Sequence, residues 1–195
     1  MGKVIFDTAA TLNGWIADED ASLAWLFAVP GADEAAASLV PAGAAVLFEG
    51  STTYTWVLEH EGLLANPEKW AAFYGTKPTF VFTTRELPVP EGADVRFVSG
   101  AIADAFEAIQ DAAAGGDVWV MGGGDLAGQF LDAGLLDEIA VSIAPATLPG
   151  GAPLLPRAIG PDRLELVSAS AVGQFARLVY AVRRPGEPSA AEGSA

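Results

Sequence analysis

Cysteine is absent from the 195 residues. Its absence excludes disulfides, thiolate metal sites and cysteine nucleophiles together, and it is compatible with a reducing cytoplasm. Positive charge is scarce: 10 Lys and Arg stand against 25 Asp and Glu, for a net charge of −15. That balance argues against nucleic acid as a partner, because phosphate contacts need clustered Lys and Arg. An anionic ligand must be held against an unfavourable long-range field, by helix N-termini and a few placed arginines. The single histidine, His60 in "LEHEG", has no identifiable ligand or triad partners, so no metal site is expected. No apolar run approaches the ~18 residues that a membrane span requires. The opening "MGKVIFDTAATLNG" lacks an apolar block with a small-residue cleavage site, and it lacks the downstream Ser or Thr of a myristoylation signal. It reads as a first strand, and a cytoplasmic protein without a membrane partner is expected.

What is present is a globular composition, 51% apolar and 18% charged, in a length that suits one domain. Residues 1–184 are read as that domain. Residues 185–195, "PGEPSAAEGSA", have no apolar face and are expected to be a disordered tail.

Strand and helix patterns alternate along the chain. "KVIFDTAA" is read as a strand, followed by a loop through "TLNGWIADEDAS" with a turn at Asn13-Gly14. "GADEAAASLV" from Gly31 is helical, "AAVLFEG" a strand, and "STTYTWVLEHEG" a helix capped by Ser51 or Thr52. A short helix at "NPEKWAAFYG" precedes two strands, "KPTFVFTTR" and "ADVRFVSG". "AIADAFEAIQDAAAGG" places apolar residues at 102, 106 and 109 and closes on Gly115-Gly116. Strand "DVWVM", helix "DLAGQFLDAGLL" and strand "DEIAVSIAP" follow, then a proline-rich loop and an antiparallel pair at the end. The order predicts an α/β fold with a mixed, mostly parallel sheet and a C-terminal antiparallel hairpin.

The stretch "VWVMGGGDLAG" (Val118 to Gly128) carries the chemistry. Strand, glycines and helix in that order bring backbone N–H groups to an anion. "GGGDLA" also satisfies the G-x-G-x-x-A dinucleotide pattern. A Rossmann site is disfavoured, because the motif sits past the middle of the chain and no acidic residue ends the next strand near "SIAP".

The longer block "VWVMGGGDLAGQFLDAGLLDEIAVSIAPATLPGGAPLLP" resembles the C-terminal portion of the dihydrofolate-reductase-like superfamily. It is especially similar to the reductase domain of the bacterial riboflavin-biosynthesis deaminase/reductase. "TAATLNGWIADEDASLAWL", "VLFEGSTTYTW" and "TFVFTTR" resemble that family's first strand and loop, its "GR-TY" turn and its next nucleotide-side strand. The resemblance spans roughly residues 3–183. It implies a dihydrofolate-reductase-like three-layer α/β fold, hydride transfer from NADPH to a pteridine or aminopyrimidine, and a homodimer resting on "DEIAVSIAP" and the terminal hairpin. The backbone of Gly122, Gly123 and Gly124 would face the cofactor diphosphate, with the helix from Asp125 and Leu126 behind it and a cis peptide at Gly122-Gly123. Ala9 and Ala10 would lie near the nicotinamide, with Gly14 and Ile16 in the covering loop. Gly50, Ser51, Thr52 and Thr53 would form a second helix N-terminus at the nucleotide, and Thr83, Thr84 and Arg85 its adenosine side. Arg85 has a further reading as a fork on a 2′-phosphate.

Two residues depart from the family's pattern. Ser51 stands where an arginine is frequent, which leaves NADH or a flavin-type cofactor as alternatives to NADPH. Glu49 stands where an apolar residue is usual; it is read as a salt-bridged structural residue, with repulsion of phosphate or a buried acid facing substrate as alternatives. Asp33 is the candidate catalytic acid, with helix N-terminal stabilisation as its competing role. A non-catalytic nucleotide-binding member of the same fold is the alternative to an enzyme.

Overall fold

The computed structural model describes residues 2–36 and 41–184. In chain order its elements are β1 (Val4–Thr11), β2 (Trp15–Ala17), α1 (Ala24–Phe27), α2 (Ala32–Ala36), β3 (Ala44–Gly50), α3 (Ser51–His60), α4 (Glu68–Tyr74) and β4 (Thr79–Phe82). They continue with β5 (Val95–Val98), α5 (Ile102–Ala113), β6 (Asp117–Gly122), α6 (Gly124–Asp132), β7 (Glu138–Ala144), β8 (Ala152–Pro153), β9 (Leu164–Val172) and β10 (Phe175–Val182). The expected tail at 185–195 and the end of the helix expected over 31–40 lie outside the described residues.

Eight strands form one sheet in the order β5-β4-β3-β6-β1-β7-β10-β9. The pairs from β5 across to β7 are parallel, and β10 runs antiparallel to both β7 and β9. The sheet is therefore mixed and mostly parallel, with a C-terminal antiparallel hairpin.

Its middle strands are largely apolar because both faces are covered. Val46, Leu47 and Phe48 of β3 are each at most 1% exposed. Alternation sends Val46 and Phe48 to one face, with Phe6, Val120 and the Ile109 and Phe130 side chains of α5 and α6. Leu47 and Val81 go to the other, under Tyr54 and Leu58 of α3 and Trp70 and Tyr74 of α4. The result is three layers, helix on sheet on helix. Each fully buried Phe or Leu contributes roughly 1.5–3 kcal/mol through removal of apolar surface from water.

Some local expectations are corrected. The segment read as a loop after β1 contains β2, which pairs with β8 from the proline-rich loop, and α1 follows that segment. α3 has Gly50 as its N-cap with no side-chain cap, so neither Ser51 nor Thr52 caps it. α5 closes on Ala114 in the left-handed region, ahead of Gly115.

Strand order also locates a crevice. β3 and β6 are neighbours in parallel, and each runs directly into a helix. α3 packs on one face of the sheet and α6 on the other. The two chains part at the strands' C-terminal ends and leave a gap, the topological switch point at which α/β sheets hold ligands.

Candidate functional site

A cleft of about 560 Å³ occupies that gap. Its two walls are helix starts. Gly50, Ser51, Thr52 and Thr53 line it from α3, and Gly122, Gly123, Gly124, Asp125 and Leu126 line it from the end of β6 and the first turn of α6. Both helices lack a side-chain cap, with extended glycines Gly50 and Gly123 at their N-caps. Their first-turn N–H groups are thus unclaimed by side chains, and both positive helix ends point toward one space.

The three glycines of the run serve three different ends. Gly122 has φ +155°, a conformation that side chains rarely adopt. The Gly122-Gly123 peptide is cis, as the resemblance implies. At Gly123 a Cβ would find only Ile16 Cδ1, at 4.0 Å, so its missing side chain leaves open cleft. At Gly124 a Cβ would sit 2.3 Å from the Leu154 carbonyl oxygen and 2.4 Å from that of Pro153. Gly124 is required by the neighbouring chain segment, independently of any ligand.

The roof comes from the small β2–β8 sheet, through Ile16, Ala17, Ala152 and Pro153. Asn13 fastens it: its side-chain Nδ2 donates to the Leu148 carbonyl at 2.7 Å, and its Oδ1 accepts from the Leu148 N–H at 3.2 Å. Gly14, at φ +84°, accepts from the Leu154 N–H at 2.9 Å. Gly14 therefore shapes the turn that holds the roof and does not line the cleft.

The other expected site residues lie off the lining. Ala9 and Ala10 sit within β1, and its lining residue is Thr8. Ala10 is buried at 1% exposure beside Ile143 of β7. β4 is held one strand away from the cleft by β3, so only Phe82 reaches it. Thr83, Thr84 and Arg85 lie beyond, in a turn where Thr83 Oγ1 accepts from the Arg85 N–H at 3.0 Å. Asp33 is exposed on α2, a helix that packs through Ala32 and Ala35 against Ala144 and Phe175. The chain between β2 and α2 instead supplies Ala21 and Leu23.

Trp56 and Met121 also line the cleft and were not anticipated. The alternation of β6 could have identified Met121, two residues on from Trp119. Trp56 needed the fold: its ring stacks on Phe27 from α1 and on His60 one turn on, at centroid separations of 5.9 and 4.4 Å. His60 is thus part of an aromatic stack, and among the described residues no cluster of side chains could hold a metal ion.

The electrostatics are unusual for an anion-holding cleft. Among the described residues no Lys, Arg or His lines it, and Asp125 is the one charged residue on the lining. Asp125 is bridged to Arg157 at 3.1 Å and accepts from Gln129 at 3.1 Å, while Arg157 also holds Asp132 at 2.7 Å. Glu49, immediately before Gly50 and in register with Gly122, is fully buried. Both its oxygens lack a hydrogen-bond partner, so the expected salt bridge is absent. Burial pushes its carboxyl up to about 8, and in its protonated form it adds no negative charge beside the α3 N-terminus. A second buried acid, Asp7, is paired through both oxygens with Arg177, at 2.6 and 2.5 Å. Burial raises its carboxyl above the usual range, and the guanidinium offsets part of that.

The model of the RibD C-terminal domain matches residues 2–176 of this chain. The chain belongs to the RibD C-terminal domain family. The uncharacterized protein YwjB of Bacillus subtilis is 28% identical over 178 residues, covering 91% of this chain and 97% of that protein. A putative riboflavin biosynthesis protein from Shewanella sp. PV-4 superposes with a TM-score of 0.71 at 25% identity, over 94% of this chain and all of that one. A dihydrofolate reductase from Enterococcus faecalis, solved with NADP(H), superposes with a TM-score of 0.59 at 16% identity, over 93% and 97% of the two chains. The fold of this RibD C-terminal domain is accordingly dihydrofolate-reductase-like, and its family is reductase-like.

Proposed function

We propose that the protein is an NADPH-dependent reductase that transfers hydride to a heterocyclic, aminopyrimidine- or pteridine-type substrate. The observation that carries this reading is the convergence of two uncapped helix starts, at Gly50–Ser51 and Gly123–Gly124, on one cleft at a topological switch point. Such a pair of donor arrays suits a dinucleotide diphosphate in a chain whose net charge is −15. Ile16 and Thr8 stand on the lining between the roof and β1, where a nicotinamide ring would be screened from water. The bound cofactor would supply the hydride, and the residues named here would hold it, orient it and exclude solvent.

A second reading keeps the fold and uses NADH. It is favoured by Ser51 and by the absence of Lys and Arg from the lining among the described residues, since a 2′-phosphate is best held by a guanidinium. Titration of each nicotinamide cofactor against tryptophan fluorescence separates the two. Trp56 on the lining is the expected reporter, and quenching by NADPH at micromolar concentration is the expected result. Quenching by NADH alone would favour the second reading, and no quenching by either would sink both.

A homodimer is part of the same proposal. β7 is sandwiched between β1 and β10 and mostly buried, so of the two expected surfaces the hairpin offers more free area than "DEIAVSIAP". Residues 166–176, "LVSASAVGQFA", carry no charge, and Leu166 and Val167 are 54% and 60% exposed on the edge strand β9. An uncharged edge is where two acidic copies approach with least repulsion. Light scattering should report a dimer for the wild type and a monomer for Val167→Lys; a monomeric wild type refutes this part.

A further inference from the structure

We propose that the α3 end of the cleft is a proton-linked anion site: it holds a cofactor diphosphate while Glu49 is protonated and holds it more weakly once Glu49 ionises. This coupling deepens the reductase reading and rests on it for the identity of the anion.

Glu49 follows Leu47 by two residues in β3 and pairs in register with Val81 of β4. Leu47 and Val81 both enter the layer beneath α3 and α4, so strand alternation sends Glu49 there too. Its charge acts on Tyr54, in the first turn of α3, and on Tyr74, at the end of α4. The chain then passes through Gly50, the extended N-cap, into that same first turn. The turn thus presents Ser51, Thr52 and Thr53 to the cleft and Tyr54 to the buried layer that holds Glu49.

Nothing in that layer supports a charge. Glu49 is fully buried and both its oxygens lack a hydrogen-bond partner. Around it stand apolar Leu47 and Val81, the bare backbone of Gly122 and two neutral phenols. The Tyr54 hydroxyl donates to the Pro88 carbonyl at 2.7 Å and not to the carboxyl. Among the described residues no cation acts on Glu49, and burial moves its pKa to about 8. A carboxyl so placed keeps its proton through neutrality.

The positive feature left for an ionised Glu49 is the start of α3. A helix end amounts to about half a charge, confined to its first turn. A diphosphate in the cleft would draw on that same half charge, and the two anions would repel across a low-dielectric layer. Reciprocity fixes the sign: bound diphosphate raises the pH at which Glu49 ionises, and ionised Glu49 weakens the diphosphate by the same factor. Affinity is therefore full below pH 8 and falls as pH rises through it. Among the described residues no Lys or Arg lines the cleft to mask the carboxylate.

Isothermal titration calorimetry tests this with NADPH and with ADP-ribose, whose diphosphate stays ionised from pH 7 to 9 and which carries no nicotinamide. Wild-type affinity for both should fall at least threefold between pH 7 and 9, whereas Glu49→Gln should stay within twofold of its affinity at pH 7. At pH 8.5, wild-type titrations in two buffers of different ionisation enthalpy should show uptake of about a third of a proton or more per ligand bound. A Glu49 that only fills space takes up none. A smaller wild-type fall, an equal fall in Glu49→Gln, or binding without proton uptake overturns the coupling. If neither nicotinamide cofactor binds while ADP-ribose binds with proton uptake, the reductase reading falls and the coupling stands. If NADPH and ADP-ribose both fail to bind at pH 7, the coupling falls as well.

Discussion

Glu49→Gln is expected to flatten the dependence of stability on pH and to stabilise the protein above neutrality. Glu49 is fully buried with both carboxyl oxygens unpaired, under the α3–α4 layer that contributes Tyr54 and Tyr74. Its pKa rises from 4.5 to about 8 by burial alone. The folded state therefore retains a proton that the unfolded chain releases. The stability it contributes is fully present below pH 4.5 and is lost as pH rises through about 8. Within that window the loss is ~1.4 kcal/mol per pH unit. Between pH 5 and 7.5 the wild type should lose ~3 kcal/mol relative to Glu49→Gln, or ~6–12 °C in melting temperature for a chain of this size. Thermal melts of the two proteins across that range are the check. Parallel pH profiles would show that the carboxyl ionises freely and that the burial argument is wrong. The same site bears on ligand binding, because an ionised Glu49 would stand one residue before the helix start that faces the cleft.

The glycine run should separate into a structural and a ligand-facing position. Gly124→Ala is expected to be strongly destabilising. Its methyl would stand 2.3 and 2.4 Å from two backbone carbonyls, which cannot rotate away as side chains do. The 152–157 segment would have to lift from α6, taking Pro153 and Pro156 out of the cleft wall. Overpacking of this kind costs ~3 kcal/mol or more at its upper range, a drop of ~6–12 °C in melting temperature. Gly123→Ala should behave differently. Its φ of −84° is open to alanine, and the methyl finds only Ile16 Cδ1 at 4.0 Å. Loss of an N-cap glycine costs ~1 kcal/mol or less, yet the methyl occupies the space through which a diphosphate would approach the helix N–H groups. NADPH affinity should fall at least tenfold with the melting temperature nearly unchanged. If Gly123→Ala binds the cofactor as tightly as the wild type, the diphosphate does not lie on this glycine.

Residues alone were enough to read the run of strands and helices, the mixed sheet with its terminal hairpin, and the family. Each depends on signals that are local: apolar runs in β3 and β6, the 102–109 spacing of α5, and the glycine block with the helix and strand behind it. Much of the cleft was legible for the same reason, since Gly50 to Thr53 and Gly122 to Leu126 are strand-to-helix junctions that local sequence marks. The expected residues that lie off the lining share a cause. Asp33, Ala9, Ala10 and Arg85 were carried over by position along the chain, and whether such residues reach the cleft depends on strand order and helix packing. β4 is kept from the cleft by β3, and α2 is drawn toward Ala144 and Phe175. The salt bridge expected for Glu49 needs a cation that, among the described residues, the packing above β3 does not bring to it. Trp56, Leu23 and the carbonyls over Gly124 are brought to the cleft by segments far apart in sequence. Local pattern sets which elements form and where a chain can approach a phosphate. The assembled sheet alone sets which side chains share one cavity, because neighbours across strands and layers are chosen by long-range packing.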